Sequence, residues 1–154
     1  MPDGASSSSG VPAARFDRLT PEARSALMAR IRGRDTSPEL ALRRLLHGLG
    51  YRFRCHRADL PGTPDIVLPG RGKVLFLHGC FWHRHAGCRH ATTPRTRPEF
   101  WRLKFERNLA RDRRTRRALN RAGWSVGVVW ECALRDEERL ARRLLRFLGQ
   151  PGAG

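Results

Sequence analysis

Apolar residues recur along this chain with two periods, and the points where one gives way to the other divide it into elements. Leu42, Leu45, Leu46 and Leu49 fall at i, i+3, i+4 and i+7, which predicts a helix with one buried face. It opens at Thr36-Ser37-Pro38-Glu39, a capping residue followed by proline in the first turn, and stops at Gly50. A first helix is predicted ahead of it, from Thr20-Pro21-Glu22 to about Gly33, on Leu27, Met28 and Ile31. The period then drops to two. Tyr51-Arg-Phe-Arg54 alternates like a short edge strand, and Leu60-Pro-Gly-Thr-Pro64 is a turn. Ile66–Leu68 and Val74–Leu77 are apolar runs forming a hairpin around Pro69-Gly-Arg-Gly72. Beyond a polar loop, Glu99–Ala122 reads as a long helix stopped by Gly123, Ser125–Trp130 as a further strand, and Glu137–Leu148 as a closing amphipathic helix on Leu140, Leu144 and Phe147.

A chain of 154 residues is long enough for one domain with a real core. The 31 Lys and Arg against 14 Asp and Glu give a net charge of +17, more than solubility needs, and point to a polyanion, with nucleic acid first. The charge concentrates in the long helix, where seven arginines and one acid, Asp112, lie between Arg107 and Arg121. Solvated faces carry both signs, so this one is assigned to phosphates, with Arg113 and Arg114 as representatives. A ribosomal or histone-like scaffold would share the charge but has little use for four tryptophans and a His/Cys cluster. No long apolar or amphipathic segment supports a membrane partner. Residues 1–14, rich in Ser, Gly, Ala and Pro, are expected to be a disordered tail preceding a domain over 15–150. They lack the basic start and apolar stretch of a signal peptide, so the expected location is the cytoplasm. Thiols stay reduced there, and Cys55, Cys80, Cys88 and Cys132 are read as metal ligands or spare thiols rather than disulfides.

Leu77 to Cys88 holds three histidines, two cysteines and two adjacent large aromatics in twelve residues. Cys80-x4-His85-x2-Cys88 supplies three soft or borderline ligands from one loop, and Cys132, at the end of a strand, supplies a fourth. His90 rivals His85, and Cys55 rivals Cys132. A Cys3His set leaves no open coordination position, so the reading is a structural zinc. Asp65, His78 and His83 then remain. A carboxylate at a strand start can hold Mg2+ and a nearby histidine can move a proton, which together suffice for phosphodiester hydrolysis.

Pro61-Gly-Thr-Pro-Asp-Ile-Val67, His78-Gly-Cys-Phe-Trp-His83, Glu99-Phe-Trp101, Lys104 with Asn108, and Val129-Trp-Glu-Cys-Ala-Leu134 closely resemble the very-short-patch repair (Vsr) DNA mismatch endonucleases over about Thr20 to Leu148. The resemblance implies a restriction-endonuclease-like α/β fold, a central mixed sheet flanked by helices with a structural zinc. It implies a monomeric, Mg2+-dependent enzyme that nicks one strand of double-stranded DNA beside the thymine of a T:G mismatch left by deamination of 5-methylcytosine. It also implies association with a cytosine-5 methyltransferase and with mismatch-repair proteins. Residue by residue, it makes Asp65 the Mg2+ ligand, with the backbone carbonyl of Leu77 as a second, and His83 the general base. His78 assists through metal-bound water and Glu39 holds such a water, although a Glu just inside a helix start also suits capping. Phe81, Trp82 and Trp101 resemble an aromatic wedge entering the stack beside the mismatch, with Lys104 and Asn108 on the same DNA-binding surface. Met28 contacts the minor groove or packs in a core. The rivals are a restriction-type nuclease cutting both strands and a zinc-stabilised DNA-binding module without catalysis.

Overall fold

The structure is a computed structural model that describes residues 35–152. The expected tail, the first helix and Met28 lie outside the described residues. Helix α1 (Ser37–Gly48) begins at Thr36, whose hydroxyl accepts from the Glu39 N–H. Strands β1 (Arg54–Cys55), β2 (Ile66–Leu68) and β3 (Lys73–His78) follow, then the long α2 (Pro98–Arg121), β4 (Ser125–Trp130) and α3 (Glu137–Leu148). The strands form one mixed sheet in the order β1-β2-β3-β4, antiparallel except for the parallel β3–β4 pair, which α2 connects. Parallel neighbours need such a crossover, and the 24 residues of α2 provide it.

Side chains alternate across the sheet, so each strand feeds two cores. Ile66, Leu68, Leu75 and Val129 pack with Leu42 and Leu46 of α1 and with Leu140, Leu144 and Leu148 of α3. Val67 and Val74 turn the other way, onto Leu119 of α2, with Phe76, Trp124 and Val126 around them. All three residues of β2 are buried because both faces are covered. Gly127 in β4 makes the approach of α3 possible: a Cβ there would lie 2.7 Å from the Phe147 ring and 2.8 Å from Leu75.

The hairpin turn is a 3-10 turn at Pro69–Arg71 closed by Gly72 in the left-handed region. It also fastens α3. Arg71 donates to the carbonyls of Leu148 and Gln150, each at 2.7 Å, Lys73 donates to that of Phe147, and the Tyr51 hydroxyl to that of Gly149. These cations and donors meet the carbonyl-rich end of the helix, where positive charge is favoured. The edge strand differs from expectation. Paired backbone is confined to Arg54–Cys55, since β2 is only three residues long, and Tyr51 is buried against the end of α3 instead of lying in a ladder.

Candidate active site and metal centre

Strand parity assembles the site. Val74, Phe76 and His78 of β3 and Val126, Val128 and Trp130 of β4 share the α2 face, and Asp65, two residues before Val67, lies in phase with them. A cavity of about 760 Å³ opens there, lined by Asp65, His78, His83, Asp112, Arg113 and Arg116 among others. The Pro61–Pro64 turn is pressed onto α2 to reach it. Gly62 has φ +72°, and a Cβ there would come within 2.3 Å of Thr115.

Asp65 Oδ2 accepts the Leu77 N–H at 2.7 Å. Burial raises its pKa above the ordinary carboxylate value; the Leu77 N–H opposes the rise, Glu39 adds to it, and His56 and His83 oppose it. Continuing the β2–β3 register by two pairs sets Leu77 opposite Pro64, which has no N–H for the Leu77 carbonyl. In a strand a residue's N–H and C=O point to the same side, so this carbonyl faces the side of the Asp65 carboxylate. Two oxygens at one end of the central strands, one of them a carboxylate that burial disfavours as an anion, fit a hard divalent cation.

His78 and His83 stack face to face, with centroids 3.7 Å apart and planes 7° from parallel. Burial, and then the neighbouring His83, push the His78 pKa down to about 4, so its ring is neutral at physiological pH. His83 Nδ1 lies 2.6 Å from Asp112 Oδ2 of α2. A carboxylate can only accept, so it holds the proton on Nδ1 and leaves Nε2 as the basic nitrogen. Asp112 was absent from the expected site. Its signal was its isolation, one acid amid seven arginines.

The metal-ligand question has a geometric answer. Cys80, His85, Cys88 and Cys132 place one ligand atom each within 4.8 Å of all the others, and Cys132 Sγ lies 3.4 Å from His85 Nδ1. Ligand atoms around a tetrahedral zinc stand roughly 3.5 to 4 Å apart, from metal-ligand bonds of about 2.0 to 2.3 Å, so three sulfurs and one nitrogen here fit a zinc-type ion. Burial pushes the Cys80 thiol up to about 11; a backbone hydrogen bond from Cys132 opposes the rise, and the Cys132 and Cys88 side chains add to it. Of the rivals, Cys55 packs on the α1–α3 core, and His90 is exposed and stands outside the four ligand atoms that converge. Trp130 couples this centre to the histidine pair, stacking on His85 at 4.2 Å and meeting His78 edge-on at 5.4 Å.

Along the first half of α2 the aromatics form one cluster. Phe81 meets Trp82, Trp101 and Phe105 edge-to-face, and Lys104 Nζ lies 4.9 Å from the Trp82 ring and 5.5 Å from that of Trp101. Asn108 is used internally, donating to the Trp82 carbonyl at 3.2 Å and so holding the aromatic loop to the helix. Phe100 joins the cluster and is 44% exposed; it was not among the expected residues. Arg113 and Arg114 are exposed on the second half of α2. Glu39 lies in the first turn of α1, with Arg43 and His56 against its carboxylate.

Comparison with known proteins settles the relationship. Residues 16–89 match the family model described as DNA mismatch endonuclease Vsr. The type II nicking enzyme V.XorIIP of Xanthomonas oryzae pv. oryzae is 55% identical over 132 residues, 86% of this chain and 96% of that protein. DNA mismatch endonuclease Vsr of Escherichia coli K12 is 48% identical over 79% of this chain and 78% of its own length. The type II nicking enzyme V.NmeAIP of Neisseria meningitidis is 36% identical over 86% and 94%. The chain belongs to the Vsr family. It is a DNA endonuclease. Among the described residues no helix is long and apolar enough to cross a membrane.

Proposed function

We propose that this Vsr endonuclease nicks one strand of duplex DNA on the 5′ side of the thymine in a T:G mismatch arising from 5-methylcytosine, with Mg2+ at the reacting phosphate and a structural Zn2+. The observation that carries the reading is the His83–Asp112 pair beside Asp65, in a cavity walled by arginines and flanked by the aromatic cluster. Asp65 and the Leu77 carbonyl would hold Mg2+, which when bound stabilises charge developing on the phosphate. His83 Nε2 takes the proton of the attacking water, and Asp112 steadies the resulting imidazolium. His78, neutral and stacked on His83, keeps a second positive charge off the pair while giving it a rigid wall. Zn2+ on Cys80, His85, Cys88 and Cys132 would fix the loop that carries His83.

The aromatic cluster supports mismatch recognition. Inserting a ring between base steps costs a few kcal/mol of unstacking and costs least at a mismatched pair. In this reading Trp82 and Phe100, with Lys104 over their faces, make that insertion while the arginines of α2 hold the backbone. The same reading assigns a restriction-endonuclease-like nuclease domain to 15–150, acting as a monomer in the cytoplasm alongside a cytosine-5 methyltransferase and mismatch-repair proteins. A duplex with each strand labelled separately tests it. With Mg2+ the enzyme should cut only the thymine strand of the T:G duplex and leave a matched duplex intact. Cutting both strands of matched DNA would make it a restriction-type nuclease, and cutting neither would leave a binding module.

A further inference from the structure

Glu39, Arg43 and His56 form a cluster that the reaction just described leaves unexplained. Glu39 Oε2 lies 3.2 Å from the Arg43 guanidinium and 3.1 Å from His56 Nε2, and those two nitrogens are 3.0 Å apart. Arg43 stands one turn beyond Glu39 on α1, whereas His56 belongs to the loop after β1, so the contact ties the helix to the segment leading into Asp65. The three side chains are only 13 to 17% exposed, which lifts them out of the class of screened surface pairs. His56 also has φ +51°, a left-handed conformation that a side-chain-bearing residue adopts at a cost in conformational energy. Such strain collects at functional sites.

We propose that Arg43 and His56 are positioning residues that pin the Glu39 carboxylate at the wall of the Asp65 site, holding it at a fixed distance from the cation held there. The inference rests on the reading of Asp65 and Glu39 given above. With its proton on Nε2, the imidazole donates to Oε2 from the loop side while Arg43 donates to the same oxygen from the helix side. Two donors of different origin leave the carboxylate no freedom to swing along the groove. An i, i+4 pair alone would not do this, since two long side chains on one helix move together. Cys55 pairs with Ile66, so the next residue along the β1 chain, His56, meets the residue before Ile66, which is Asp65, and brings Glu39 with it.

The test compares His56→Ala, His56→Gln and Arg43→Met in zinc-loaded protein, with Glu39→Gln as the reference. Groups that orient metal-site residues typically contribute about 10- to 100-fold in affinity or activity. His56→Ala and Arg43→Met should therefore lower kcat for nicking by about 10-fold or more, with KM for the duplex near the wild-type value. Their apparent Kd for Mn2+, read without turnover from the free-ion electron paramagnetic resonance signal, should rise by a similar factor. His56→Gln, which keeps an N–H at the same reach, should recover most of both. Arg43→Met keeps the stem on the helix and gives a folded variant if the loop change at His56 does not. Wild-type kcat and Mn2+ affinity in His56→Ala and Arg43→Met, with only a lowered Tm, would overturn the proposal, as would failure of His56→Gln to recover more than His56→Ala. Glu39→Gln separates the two levels. If it is inactive while the other variants are fully active, the role of Glu39 stands and only the positioning is wrong. If it is fully active, the role of Glu39 itself falls and the positioning with it.

Discussion

Replacing Asp112 with Asn removes a single charge 2.6 Å from His83 Nδ1 and keeps the size of the side chain. The carboxylate holds the Nδ1 proton and stabilises the imidazolium that forms when Nε2 takes a proton. An amide has no charge to offer, and its NH2 can turn toward Nδ1 and shift the ring proton to Nε2, the tautomer that cannot act as base. A hydrogen bond to a charged group contributes about 1.5 to 3 kcal/mol. At about 1.4 kcal/mol per factor of ten, kcat should fall roughly 10- to 150-fold. The two side chains are 25% and 28% exposed, and solvent screening places the effect toward the lower end. Binding should move the other way. Asp112 is the one acid in the arginine run, so its loss leaves this helix more positive, and if the run meets phosphates as proposed, duplex affinity should be equal or higher. Single-turnover nicking at saturating enzyme gives the first quantity and fluorescence anisotropy the second. A wild-type kcat, or a loss of activity accounted for by weaker binding, would refute the dyad.

Asp65→Asn should stabilise the magnesium-free protein at neutral pH while abolishing nicking. Burial raises the Asp65 pKa, so ionisation costs folding free energy once the pH exceeds that raised value, and the cost vanishes below the ordinary value of 3.8. Thermal melts should show the variant ahead of the wild type at neutral pH and level with it in acid; a less stable variant at neutral pH would contradict the sign. Cys132→Ser should bind less than stoichiometric zinc and lose several kcal/mol of stability, because structural zinc sites contribute folding free energy outright; metal analysis and a melt check it, and a folded, fully active variant would remove the assignment. Trp82→Ala should lose about 1 to 3 kcal/mol of preference for the T:G duplex, about 5- to 150-fold, and keep its affinity for matched DNA; equal losses on both duplexes would make Trp82 a core residue.

The periodicity of the chain carried most of the described fold. The leucine stripe of α1, the Ile66–Leu68 and Val74–Leu77 hairpin and the Ser125–Trp130 strand lie within a residue or two of where the pattern placed them. The edge strand moved because its length depends on β2, a partner whose three residues say nothing locally about where pairing stops. The grouping of Cys80, His85, Cys88 and Cys132 was legible in its spacing, but the choice between His85 and His90 as its histidine needed the fold, since both follow Cys80 in the same loop. Asp65, His78 and His83 could be read as chemistry because no core requires them. Asp112, Arg43 and His56 could not. Asp112 and His56 each touch a residue distant in sequence, 29 positions for Asp112 with His83 and 17 for His56 with Glu39, while Arg43, one turn from Glu39, reads as an ordinary helix-surface pair.

In the proposed reaction Asp65 and His83 carry out the cleavage. The most direct measurement places wild type, Asp65→Ala and His83→Ala on one duplex with a single T:G pair, each strand labelled separately, in Mg2+, with binding measured on the same duplex. The wild type should cut the thymine strand only, 5′ to the thymine. Both variants should bind as the wild type does. His83→Ala should retain a trace of nicking, since general base catalysis contributes about 10² to 10⁴-fold, and Asp65→Ala none. Nicking by Asp65→Ala at the wild-type rate, or full activity in His83→Ala, would contradict the account.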